Sequence, residues 1–125
     1  LKEIISTEGA PKPVGPYSQA VRAGDLLFVS SQLGLDPVTG SLPPTVEDQM
    51  RQALANVYAI LAASGADWNN VVKVNLYLTD LTTYSKVNDI YSAFLGDSAP
   101  ARSTVVVSSL PRRAFVSIDV VAYLA

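Results

Sequence analysis

The hydrophobic period changes partway along the chain, and that change restricts the fold more than any other feature. From Thr45 onward, Met50, Leu54, Val57 and Leu61 recur at helical spacing, with Ile60 and Tyr58 widening the stripe. Thr45 stands at an N-cap position, Glu47 and Asp48 suit the positive end of the helix dipole, and Gly65 falls where a helix stops. The next run, VVKVNLYL at 71–78, alternates instead, so that Val72, Val74, Leu76 and Leu78 share one strand face. Helical spacing then returns with Val87, Ile90, Tyr91 and Phe94, between a capping Thr83 and a terminating Gly96. RSTVVVSS (102–109) and AFVSIDVVAYLA (114–125) read as two closing strands.

Before Thr45 the signals are those of strands and turns. KEII (2–5) reads as a short edge strand, and GAPKPVGP (9–16) as a proline-punctuated loop. AVRAGDLLFVSSQ (20–32) reads as a hairpin turning at Ala23-Gly24-Asp25, and DPVTGSLPP (36–44) is turn chemistry. The predicted order is β-β-β-α-β-α-β-β. It implies an α+β sandwich, a mixed six-stranded sheet with two helices on one face, in a single domain over residues 1–125. A domain of that length buries roughly two-thirds of its unfolded surface and needs no disulfide or metal to fold.

The uncovered sheet face then carries Lys73, Asn75 and Tyr77 from one strand and Phe115, Ser117, Asp119, Val121 and Tyr123 from the last. Such a mixed surface fits an oligomer interface, or else a half-wet sheet with scattered apolar side chains.

Composition removes whole classes of chemistry. With no Cys and no His, catalytic thiols, histidine-based triads and nearly every zinc site are excluded. The net charge is −2, and the nine Lys and Arg residues are scattered, with only Arg112 and Arg113 adjacent. That pattern offers no basic stripe to a phosphate backbone, so nucleic acid is disfavoured as a partner. No secretory signal or membrane-spanning run is apparent, and the expected setting is cytoplasmic, or an organellar matrix.

The remaining actors are carboxylates, Arg, Lys, Tyr, hydroxyls and backbone amides. Asp119 sits inside FVSIDVVAYL, where a charge is costly unless it is paired. It reads either as an edge or solvent-facing Asp, or as a carboxylate held in a cleft to orient water. Arg102 follows Pro100 at a strand start, a rigid place for bidentate capture of a small carboxylate, although an ordinary surface Arg fits too. Tyr17 is a tyrosine after proline in a loop, and Asn88 an asparagine on the wet side of the second helix. Arg112-Arg113 reads as a solvated turn. LFVSSQ ends on Ser30, Ser31 and Gln32, polar groups where a core strand would stay apolar.

Taken together, GPYSQAV, LFVSSQLGLDPVTG, QALANVYAILAASGADWNNVVKVNLYLTD, VNDIYSAF, PARSTVVVSSLP and VSIDVVA resemble the RidA/YjgF family of enamine and imine deaminases, in order and over nearly the whole chain. The resemblance implies a chorismate-mutase-like fold, a homotrimer with clefts between subunits, and no metal or cofactor. It implies hydrolysis of 2-aminoacrylate-type enamines, through their imines, to 2-oxo acids and ammonia. By position, Arg102 becomes the carboxylate clamp and Asp119 the water-orienting group. Tyr17, Asn88 and Thr104 line the pocket, and the backbone near Ser30 and Ser31 bonds the ligand. Three departures stand out: SSQ replaces the family's SGQ, Asp119 stands for a Glu, and Ala99 precedes PAR where an aromatic is frequent. A trimeric small-carboxylate binder with little catalysis is the alternative. Endoribonuclease or translation-inhibitor action is a third, which the acidic pI, absent His and scattered basic residues oppose.

Overall fold

A computed structural model describes residues 1–125. Its strands are β1 (Lys2–Ile5), β2 (Ala20–Ala23), β3 (Leu26–Gln32), β4 (Val71–Leu78), β5 (Ala101–Val106) and β6 (Val116–Tyr123). Its two long helices are α1 (Val46–Ala63) and α2 (Tyr84–Leu95). The strands form one sheet in the order β1-β2-β3-β6-β4-β5. All neighbours run antiparallel except β4 and β5, which are parallel and joined through α2. The α+β class, element order and helix count expected from the sequence are those observed. No helix is long and apolar enough to cross a membrane.

α1 begins as the sequence requires: the Thr45 hydroxyl accepts from Asp48 N at 3.1 Å. It ends at Ser64, followed by Gly65 in the left-handed region at φ 75°. Met50, Leu54, Val57, Ile60 and Leu61 are fully buried and pack on the inner sheet face with Leu27, Val74, Leu76, Ile118 and Val120. Tyr58 departs from the expected stripe: it is 45% exposed and leans on Trp68 at the outer surface. Gly34 is demanded by packing, because a Cβ there would overlap the Gln49 backbone.

Two local expectations need correction. Thr83 does not cap α2. Asp80 opens a preceding 3-10 turn by accepting from Thr82 N at 2.9 Å, and the Thr83 hydroxyl donates back to Asp80 O at 2.7 Å. The chain is therefore already helical when α2 starts, and no side chain caps it. Val72 does not share the core face. The register with β6 shifts between Val71 and Lys73, so Val71 is buried while Val72 is 47% exposed.

Beyond that shift, β4 and β6 alternate cleanly. Val74, Leu76 and Leu78 face the helices, with Val116, Ile118 and Val120 beside them. Lys73, Asn75, Tyr77, Ser117, Asp119 and Val121 occupy the other face. There an apolar row crosses the sheet in register, Ile4–Val21–Phe28–Val121, with Ile4 62% and Phe28 45% exposed.

Candidate active site

Three groups of polar side chains are built around this sheet. The first lies where β3 breaks pairing with β6. Val29 pairs with Val120 and Gln32 with Ile118, so Ser30 and Ser31 both stand opposite Asp119, as in a β-bulge. Ser30 is pinned twice: its N donates to Gln19 O at 2.9 Å and its Oγ to Ser18 O at 2.6 Å. Buried Gln19 in turn ties down the preceding loop, accepting from Thr7 N at 2.7 Å and donating to Pro11 O at 2.9 Å. The cavity beside them, of about 580 Å³, is lined by Tyr17, Ser30, Ser31, Tyr77, Arg112 and Ser117 among others. At its rim Arg112 and Arg113 are both left-handed, at φ 61° and 56°, and Arg112 Nη2 donates to Gly40 O at 3.0 Å. Both arginines are exposed, as expected of a solvated turn, with the left-handed backbone its added cost.

The second group surrounds Asp119 on the uncovered face. Asn75 Nδ2 donates to Oδ1 at 2.9 Å, and Ser31 Oγ approaches Oδ2 at 3.4 Å. Asp119 also acts on Tyr77: its negative charge first, then burial and a hydrogen bond to the carboxylate, raise the Tyr77 phenol above its ordinary value. The Asp119 charge is thus partnered without a cation.

The third group is centred on Arg102. Its Nη2 donates to Asn88 Oδ1 at 2.7 Å and to the Tyr84 hydroxyl at 3.1 Å. Its Cζ lies 4.7 Å from the Tyr91 ring centroid and 5.7 Å from that of Tyr84, within cation–π range. Asn88 and the guanidinium hold the Tyr84 phenol below its ordinary value. Burial raises that of Tyr91, whose hydroxyl is buried without a partner. Asn88 is therefore a half-buried ligand of Arg102 and does not simply face water. Thr104 lies two residues on along β5, on the same strand face.

The registers separate these groups. Arg102 pairs with Val74 on the helix-bearing face, whereas Asp119 and Ser103 pair with Asn75 on the other. Within one chain Asp119 is thus not beside the Arg102 guanidinium.

A family profile described as Endoribonuclease L-PSP matches residues 7–124. The chain belongs to the RidA/YjgF (L-PSP) family. It is 48% identical over 124 residues to the Reactive Intermediate Deaminase A, chloroplastic, of Arabidopsis thaliana, covering 98% of this chain and 66% of that protein. It is 43% identical over 123 residues to the 2-iminobutanoate/2-iminopropanoate deaminase of Mus musculus, covering 98% and 91%. Among solved structures it is similar to E. coli TdcF with bound serine, at TM-score 0.95 and 36% identity, covering 98% of this chain and 99% of that one.

Membership in the RidA/YjgF family accounts for the fold. Of the site residues singled out in the sequence, the structure gathers Tyr17, Ser30 and Ser31 on one cavity, and Arg102, Asn88 and Thr104 around β5 and α2. Tyr84, Tyr77, Asn75 and Ser117 were not singled out as site residues. Tyr84 had a readable signal, since it precedes Asn88 by four residues and so shares its helix face. Ser117 had none, because a serine in a strand is ordinary until a cavity opens beside it.

Proposed function

We propose that this protein hydrolyses small 2-imino acids, including those arising from 2-aminoacrylate, to 2-oxo acids and ammonia. The observation that carries the reading is Arg102, a guanidinium fixed by Asn88 and stacked on two tyrosines while part of it remains free to meet a carboxylate. The names of the Arabidopsis and mouse relatives support the same reaction class.

In this mechanism Arg102 anchors the substrate carboxylate and sets the imine carbon in place. Asp119, held by Asn75, accepts a proton from water as the oxygen adds to that carbon. A proton taken from solvent makes the imine an iminium before attack. After attack Asp119 returns its proton to the nitrogen, the carbinolamine hydroxyl releases one to solvent as the carbonyl forms, and ammonia leaves. Water enters, ammonia departs and no electron is transferred, so the reaction requires no redox cofactor. Tyr17, Ser30, Ser31 and Thr104 line the space around the substrate.

Arg102 and Asp119 occupy opposite faces within one chain, so the complete site needs a second copy. The apolar row on the open face is the surface that would meet it. A homotrimer with three inter-subunit clefts fits this requirement, and the number three comes from the family resemblance. Light scattering that finds a stable monomer at micromolar concentration would remove the shared site.

The deciding assay generates 2-aminoacrylate in situ and follows pyruvate and ammonia with and without the protein. Acceleration supports the enzyme. Tight 2-oxo-acid binding without acceleration supports a carboxylate binder instead, a reading favoured by the way Asn75 and Ser31 already engage Asp119.

A further inference from the structure

An arginine grips a carboxylate with two donors, either end-on through Nη1 and Nη2 or side-on through Nε and Nη2. Both forks use Nη2, the nitrogen trans to Cδ. In this protein Nη2 has two N–H bonds and already serves two acceptors, Asn88 Oδ1 and the Tyr84 hydroxyl. Tyr84 and Asn88 stand one turn apart on α2, so both acceptors come from one rigid helix face. Neither fork is open unless Nη2 gives up a partner.

The Tyr84 phenol offers another route. It accepts the Arg102 bond at its oxygen and keeps its own O–H to donate. Asn88 first and then the adjacent Arg102 charge lower the Tyr84 pKa, which makes the phenol a stronger donor. Tyr84 is 39% exposed, so a ligand can reach it. Asn88 and Tyr91 fix the guanidinium from the other sides.

We propose that Tyr84 belongs to the anion site, where a substrate carboxylate bridges an Arg102 Nη1–H and the Tyr84 O–H. Nη2 then serves as the internal anchor of this composite fork, and Nη1 and the phenol present the two donors. The inference rests on the reading of Arg102 as the carboxylate anchor. It selects planar anions with two adjacent oxygens, such as 2-oxo and 2-imino carboxylates, over single-point anions.

The test is titration calorimetry with 2-oxobutyrate on the wild type, Tyr84→Phe and Arg102→Ala, together with tyrosine ultraviolet difference spectra. Tyr84→Phe keeps the ring over the guanidinium and removes only the hydroxyl. The expected result is roughly tenfold weaker binding and an unchanged melting temperature. A tyrosine difference band that the wild type shows on binding should also be missing. If Arg102→Ala loses binding while Tyr84→Phe binds as well as wild type or better, the composite fork is overturned and Arg102 stands alone as anchor. Weakened binding with the difference band retained would also overturn it, because Tyr84 would then only position Arg102. If the wild type fails to bind, or Arg102→Ala binds as well as wild type, the anchor reading falls and the fork falls with it.

Discussion

The two faces of β4 and β6 are written in the same sixteen residues, yet they obey different rules. On the helix side Val74, Leu76, Leu78, Val116, Ile118 and Val120 are buried and purely apolar. On the other side, Asn75 and Tyr77 are hydrogen-bonded to Asp119, with Ser117 beside them and exposed Phe28 and Tyr123 nearby. The first face is completed by this chain's own helices. The second is covered by no helix of this chain, and this contrast separates the core from part of the proposed site.

The contrast can be pressed at both ends. Arg102→Ala should cut turnover at least a thousandfold (~4 kcal/mol of barrier) without moving the melting temperature, since only exposed or half-buried partners lose contact. Retention of more than a tenth of the activity would disqualify Arg102 as the anchor. On the covered face, Ile118→Ala should do the reverse, costing about 3 kcal/mol of stability by chemical denaturation through cavity formation. Its effect on turnover per folded molecule should be small. A fully stable Ile118→Ala would mean that the inner face is not the core.

Asp119→Asn tests the uncovered face. It should lower turnover roughly a hundredfold, as for loss of a general base, while largely preserving 2-oxobutyrate binding. Equal rates for wild type, Asp119→Asn and Asp119→Glu would take Asp119 out of the chemistry. Should Asp119→Glu instead run faster than wild type, the shorter side chain is the limiting feature.

The smallest effect concerns Tyr77. Its folded pKa lies above the ordinary 10.0, with the Asp119 charge as the largest cause. The folded protein therefore holds this proton more tightly than the unfolded chain. The resulting stability is fully present below pH 10 and is lost as pH rises through the folded value. Asp119→Asn should move the Tyr77 titration, followed by ultraviolet absorbance, back towards an ordinary tyrosine. A titration that does not move would mean that Asp119 does not set it.

These two faces also differ in how much of them the sequence discloses. The α1 stripe, its Thr45 cap, its Gly65 stop and the alternation of β6 follow from side-chain period alone, because water sorts apolar residues the same way in any fold. Val72 misled because a bulge is a property of pairing with β6 and leaves no mark in β4 itself. Thr83 misled because Asp80, three residues earlier, had already begun a 3-10 turn, and a threonine suits either place. Tyr17, Asn88, Arg102 and Asp119 could be nominated as site residues from residue type and from the family resemblance. Their grouping could not, because which residues face each other across a sheet depends on register. The Tyr84–Arg102 bond joins residues eighteen apart in sequence, across a helix and a turn.

The strand order has a consequence for how the protein is made. β6 lies between β3 and β4, and it is the last of the six to leave the ribosome. Until it emerges, the β1-β2-β3 meander and the β4-α2-β5 unit have no strand connecting them. Each then presents one unpaired inner edge, β3 on one side and β4 on the other. Those edges are rich in Val and Leu and lie open to other nascent chains. The period between synthesis of β4 and delivery of β6 is therefore when this chain is most exposed to misassembly. Slowing translation over the turn at 107–115 should lower soluble yield more than slowing it anywhere upstream of β4.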